Sequence, residues 1–193
     1  MNSDTLSDNA LMNKVREGDL DKLGLLFERY KKVLFSYFWG MNKDPGLSED
    51  LVQNTFMRVL KYRKGFKGEG EFKYWLFHIA RNVNADHYRK NKLGITLDID
   101  KHQDTIYDEH NFEKKMTAKE DLKFLHKAML MLDPDKREII VLSKIEEMKY
   151  SEIAALMNLT EGTVKVRVFR AMNELKEIVE NATRKSYSTG INN

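Results

Sequence analysis

YSEIAALMNLTEGTVKVRVFRAMNELKEIV, residues 150–179, carries two apolar stripes at helical spacing with a stop between them. Ile153, Ala154 and Met157 form the first stripe. Val164, Val168, Ala171 or Met172, Leu175 and Val179 form the second. Asn158 stands where the first helix must end, and asparagine tolerates the left-handed conformation that such an end requires. Thr160 places a hydroxyl at the N-cap of the second helix, and Glu161 places an acid in its first turn, where the helix dipole favours it. Two stripes and a short turn would equally fit a helical hairpin in a core. Lys165, Arg167 and Arg170 lie off the apolar stripe and favour a helix-turn-helix whose second helix enters a major groove.

The totals frame that segment. The chain has 193 residues, enough for one large domain or two small ones, and its 2 prolines and 10 glycines favour long helices. No apolar run approaches the ~18 residues of a membrane span. MNSDTLSDNALMNK lacks the apolar stretch of a signal peptide, so a cytoplasmic protein is expected. With 0 cysteines there is no disulfide, thiol or cysteine–zinc chemistry. A net charge of +3 is too mild to announce nucleic-acid binding by itself, so the distribution of charge carries the argument.

Outward from the helix-turn-helix, helical patterns cover most of the chain. Leu11, Met12 and Val15 mark a helix over residues 8–17 capped by Ser7. Asp19 is the expected cap of a long helix reaching about Trp39, with Leu20, Leu23, Phe27, Tyr30, Leu34 and Phe38 on its apolar face. A loop is expected over residues 40–47, followed by SEDLVQNTFMRVLKY with Ser48 as its cap. That helix buries Leu51, Val52, Phe56, Val59 and Leu60 and leaves Asp50, Gln53, Asn54, Met57 and Arg58 outside. After the glycine-punctuated GFKGEGE, FKYWLFHIARNVNADHYRK is helical from about Phe72 to Lys90. Residues 93–116 show no sustained period and read as a flexible linker. A capping box of Thr117 and Glu120 opens a helix to about Leu132 that buries Leu122, Leu125, Met129 and Leu132. Asp133-Pro134 opens PDKREIIVLSKI, and SYSTGINN at the end reads as a frayed tail. The fold class is all-α, with two small helical domains: residues 1–92, then the linker 93–116, then residues 117–182 with the helix-turn-helix, then a tail 183–193.

Between Arg58 and Lys92 basic residues outnumber acids, and aromatic residues interleave with them. Cations and rings together suit unpaired nucleotides, where stacking is worth ~1–3 kcal/mol per base. Charge runs are more often a solvated face, and Trp75 is at least partly a core residue on its pattern. The five histidines lack the spacing of a metal site. Asp86 and His87 are adjacent and so point apart on a helix. No phosphate-binding loop or nucleophile motif occurs. Neither an enzyme nor a cofactor or metal site is expected.

SEDLVQNTFMRVLKY, FKYWLFHIARNVNADHYRK and LDPDKREIIVLSKIEEMKYSEIAALMNLTEGTVKVRVFRAMNEL, in that order, resemble the extracytoplasmic-function (ECF) group of bacterial RNA polymerase sigma factors. The likeness covers about residues 10–92 and 117–180. It implies that the first domain is sigma region 2, which binds the polymerase clamp and melts and reads the −10 element. The second is sigma region 4, which binds the polymerase flap and reads the −35 element. The partners implied are core RNA polymerase, promoter DNA and an anti-sigma factor.

Carried across, Asp50, Gln53 and Asn54 fall on the clamp-binding helix, with Asn54 where the family usually has an acid. Lys67 and Lys73 bound the segment lying against the flipped −10 base. Arg81, Asn82, Asp86 and Arg89 fall on the face that meets −10 DNA. Lys165, Val166, Phe169 and Arg170 fall on the −35 reading positions, with Thr163 and Arg167 nearer the backbone. Val166 stands where serine is frequent, and Lys149 replaces a frequent capping serine. The acidic linker is expected to act as a phosphate mimic in a basic channel. Two rivals remain: a stand-alone helix-turn-helix regulator, which leaves the basic aromatic segment unexplained, and a nucleic-acid-processing enzyme built on Asp86 and His87.

Overall fold

The computed structural model describes the backbone of residues 6–92 and 124–189 and the side chains of residues 6–91 and 124–181. The expected linker, the Thr117–Glu120 capping box and Leu122 lie outside the described residues. Among the described residues every regular element is helical.

The first domain contains α1 (Asp8–Glu17), α2 (Asp21–Asn42), α3 (Pro45–Tyr62) with a single 3₁₀ turn at Arg63–Gly65, and α4 (Phe72–Lys92). Ser7 caps α1 by accepting from the Ala10 N–H, and Gly18 ends it at φ 115°, a conformation that suits glycine. Asn9 then ties α1 to the start of α4. Its side-chain oxygen accepts from the Phe72 N–H at 2.7 Å and its amide donates to the Gly70 carbonyl at 2.8 Å. The core beneath includes Leu11, Leu26, Leu34, Phe38, Val59, Phe72, Leu76 and Phe77.

Four local expectations are corrected here. Asp19 does not cap α2, which begins after Leu20 through an αR turn with no side-chain cap. Its apolar stripe is displaced as well: Leu20 is exposed, and Leu26, Leu34, Tyr37, Phe38 and Met41 are buried. The loop expected over residues 40–47 shrinks to Lys43 and Asp44. Lys43 adopts the left-handed conformation at φ 58°, and Asp44 caps α3 ahead of Pro45. Ser48 is not a cap but lies buried inside α3, its hydroxyl donating to the Asp44 carbonyl. Proline at the first helical position fixes the start of the helix three residues before the serine.

The second domain contains α5 (residues 124–131), α6 (Pro134–Ile140) running on into a π turn at Val141–Ile145, α7 (Tyr150–Met157) and α8 (Glu161–Thr189). Met129 and Leu132 are buried as expected, but Leu125 is 42% exposed. Asp133 sits at the N-cap of α6 without a side-chain bond. The expected frayed tail is helical through Thr189.

The two domains pack against each other, with α2 and α4 of the first against α6, its π turn and α7 of the second. Gly40, buried near the end of α2, permits the closest approach. A Cβ at that position would lie 2.8 and 2.9 Å from the Val141 methyls.

Candidate nucleic-acid interface

The helix-turn-helix forms as its residues dictate. Ile153, Ala154 and Leu156 of α7 are buried against Val164, Val168, Ala171 and Leu175 of α8, with Leu156 in the core where the spacing predicts Met157, which is only partly buried. Ala171 fills the stripe and Met172 is 37% exposed, which settles the alternative between them. Asn158 ends α7 at φ 54°, its N–H bonding back to the Ala154 carbonyl. Thr160 caps α8 by accepting from the Thr163 N–H at 3.2 Å. At the start of α7, Lys149 has no acceptor to offer. Glu152 supplies half of a capping box by accepting from the Lys149 N–H at 2.9 Å.

This frame turns one arc of α8 to solvent. Lys165, Val166, Arg167, Phe169 and Arg170 are all exposed, and Thr163 is half-buried through its part in the cap. Phe169 is 66% exposed and Val166 48%. Large apolar side chains held open beside arginines are costly to leave in water and suit thymine methyls and base edges.

The face on α4 is different. Phe72 and Phe77 are fully buried, and Trp75 packs edge-on to Phe66 at 5.3 Å between centroids. Phe72 and Phe77 are core and cannot stack on bases, while Trp75 is partly buried against that core, as its pattern indicates. Helix α4 buries the other two rings because it is covered on several sides. Lys67, Asn82 and Arg89 are exposed and Lys73 is half-buried. Asp86 is held by Arg58 at 2.7 Å and Arg89 at 2.6 Å. The hydrogen bond from Arg58, with the charges of Arg58 and Arg89, keeps its carboxyl below the usual aspartate range. His87 bonds to Asn91 instead, so Asp86 and His87 form no pair.

Arg81 faces the second domain. Its Nε and Nη2 donate to the two oxygens of Glu138 at 2.9 and 3.1 Å, and its Nη1 donates to the Leu156 carbonyl at 3.1 Å. Tyr37 donates to the same Glu138 at 2.6 Å, and burial beside that carboxylate raises its pKa well above the ordinary value. Arg137, itself buried, donates to the Met41 carbonyl at the end of α2 at 2.6 Å while holding the Met129 and Leu132 carbonyls of its own domain. Tyr74 donates to Glu152 at 3.0 Å; burial and that partner push its hydroxyl up to about 12. Sequence reasoning missed Gly40, Arg137 and Glu138. Gly40 reads from the sequence as the start of a loop, whereas it lies inside α2.

The third face lies on α2 and α3. Asp50, Gln53 and Asn54 are exposed. Gln53 also lines a groove of about 330 Å³ with Phe27, Phe35, Val52, Lys31 and Glu49. No group of three or more His, Asp or Glu among the described residues could hold a metal ion. No described helix is long and apolar enough to cross a membrane.

Comparison with known proteins accounts for both domains together. Residues 26–93 match the family described as Sigma-70 region 2, and residues 125–175 match Sigma-70, region 4. The ECF RNA polymerase sigma-E factor of Haemophilus influenzae is 30% identical over 190 residues, covering 93% of this chain and 96% of its own. The chain belongs to the ECF RNA polymerase sigma factors.

A second relative, the ECF sigma factor SigM of Bacillus subtilis, is 29% identical over 168 residues and is spanned over 96% of its length. Among solved structures, the sigma factor RpoE of Bartonella quintana in complex with the anti-sigma factor NepR is similar at a TM-score of 0.59 and 27% identity. That alignment covers 84% of this chain and 97% of the other. Two sigma regions in one chain, rather than a helix-turn-helix alone, remove support from the stand-alone regulator. The ECF sigma factor has its exposed α8 arc and its covered α4 face on different domains, one open and one engaged.

Proposed function

We propose that this sigma factor binds core RNA polymerase through the α2–α3 face, reads the −35 element with α8, and melts and reads the −10 element with α4. The chain is a promoter-directing initiation factor, and sigma factors are not themselves enzymes. The observation that carries the division of labour is the exposed arc of α8 over a fully buried stripe. On α8, Lys165, Val166, Phe169 and Arg170 approach base edges, with Thr163 and Arg167 toward phosphates. On the first domain, Lys67, Lys73, Asn82 and Arg89 supply cations and a polar tip for the −10 strand. Arg81 joins them once freed from Glu138. Asp86 holds Arg58 and Arg89 in position for it.

Asp50, Gln53 and Asn54 meet the polymerase clamp, and the adjoining groove floored by Phe27, Phe35 and Val52 takes an apolar side chain from it. Asn54 accepts from the Arg58 Nε at 3.2 Å through its side-chain oxygen, which leaves its amide to donate to the partner without adding charge. An anti-sigma factor binds this chain as NepR binds the similar Bartonella protein, and the site of action is the cytoplasm. The test is reconstitution. Core polymerase plus the protein should transcribe from genomic fragments that neither uses alone, and a Gln53→Arg change should abolish the gain without altering the melting temperature. No gain of transcription with any fragment would end this reading.

A further inference from the structure

The contact between the domains engages two of the residues that would handle the melted strand, Lys73 and Arg81, with carboxylates, while Lys67, Asn82 and Arg89 stay exposed. Three acids of the second domain face α2 and α4 of the first. Glu138 takes Arg81 in a two-point ion pair, Glu152 takes the Tyr74 hydroxyl, and Glu146 lies by Ser36 and Lys73. Carboxylate oxygens and phosphate oxygens ask for the same donors, so a nucleic-acid strand and the second domain make competing demands on Lys73 and Arg81.

The backbone supports the same docking. Gly40 lies inside α2 where Val141 presses in, and Val141 opens the π turn that brings Glu146 round to α2. Glycine inside a helix weakens it relative to alanine. Close passage of the second domain explains why it stands here. Arg137 completes the join by capping the Met41 carbonyl.

We infer that the protein has a self-locked state in which Glu138, Glu146 and Glu152 hold Arg81, Lys73 and Tyr74 of α4 in place of nucleic acid, with Gly40 and Val141 as the closing contact. The lock needs no second protein. Strand binding and polymerase engagement select the open form, so the apparent affinity is reduced by the fraction of chain that is open. This rests on the proposed role of α4, and the experiment separates the two.

The chain has no cysteine of its own, so an introduced pair is unambiguous. A Cβ at Gly40 would lie 3.4 Å from the Val141 Cβ, close to the separation that a disulfide spans. In the full-length Gly40→Cys/Val141→Cys protein the disulfide should form under mild oxidation. The oxidised form should bind a fluorescent mixed-sequence single-stranded DNA 20-mer at least ~10-fold more weakly than the reduced form, and should lose polymerase-dependent transcription until reduced.

Gly40→Ala works in the opposite sense. Its methyl would meet Val141 while favouring α2, so the radius of gyration should rise and the 20-mer should bind several-fold more tightly than to the wild type. Circular dichroism confirms that both variants keep their helices. Failure of the disulfide to form, or equal DNA binding by its oxidised and reduced forms, overturns the lock. If transcription is absent in every form yet 20-mer binding follows the redox state, the lock holds and the sigma reading falls. If transcription is present and indifferent to oxidation, the reverse is true.

Discussion

The α8 arc and the α4 face are both basic stretches interleaved with large apolar side chains, yet the fold treats them in opposite ways. In α8 the rings and branched chains at Phe169 and Val166 stay open, and the cations beside them are uncommitted to the core. In α4 the rings at Phe72 and Phe77 are buried outright, and the cation at Arg81 is spent on Glu138. The difference is geometric. Helix α8 packs along one stripe and leaves the rest to solvent, whereas α4 is enclosed by α1, α3 and the second domain. Basic-aromatic interleaving alone therefore does not identify a nucleic-acid face; the number of sides on which a helix is packed decides what its rings do.

The contrast can be broken most strongly at Phe77. Phe77→Ala should destabilise the first domain by about 3–5 kcal/mol, a large part of a typical domain's stability, with a clear fall in melting temperature. A melting temperature close to wild type would return that ring to the nucleic-acid face.

Phe169→Ala and Arg170→Ala test the opposite side. Each should leave the melting temperature unchanged within about 0.5 kcal/mol of stability, because the side chains are exposed. Each should reduce transcription from a promoter with a −35 element about tenfold or more, a base contact being worth about 1–3 kcal/mol. Loss of folding instead of transcription would make these core residues.

A smaller effect lies at Glu146, whose carboxyl burial pushes up despite the Ser36 hydrogen bond and the Lys73 charge. One of its oxygens is buried without a hydrogen-bond partner. The folded state binds the proton more tightly than the unfolded chain, so stability should decline as pH rises from the ordinary glutamate range through the raised folded value, and level off above it. Glu146→Gln should flatten that decline in melting temperature measured from about pH 4 to about pH 8. A mutant profile parallel to the wild type would contradict it.

The smallest effect belongs to the frame shared by the reading helix. Lys149→Ser would let a hydroxyl accept from the Glu152 N–H, completing the capping box that Glu152 already half makes. A gain of about 0.5–1 kcal/mol is expected, visible as a rise of a few degrees in the melting temperature. No rise would mean that α7 is limited by packing rather than by its cap.

Much of this was legible from residue types. The helix-turn-helix followed from Asn158, Thr160 and one stripe, because a local stop, a local cap and a periodic face are encoded within thirty residues of one another. Helix α1 and its Ser7 cap were legible for the same reason. The starts of α2 and α3 were not. Asp19 and Ser48 are good capping residues, but a preceding turn and Pro45 set those boundaries earlier or later.

By itself the sequence determined the all-α class seen among the described residues, the exposed arc of α8 and the family resemblance, all of which depend on short-range pattern. Only the tertiary structure decided that the α4 rings are core, that Arg81 is engaged, and that Glu138, Arg137 and Gly40 matter. Tyr37 and Glu138 stand 101 residues apart, and Arg137 and Met41 stand 96 apart. A contact across that distance leaves no period or spacing in the chain. It exists only where packing brings two surfaces together and a glycine leaves room for them to meet.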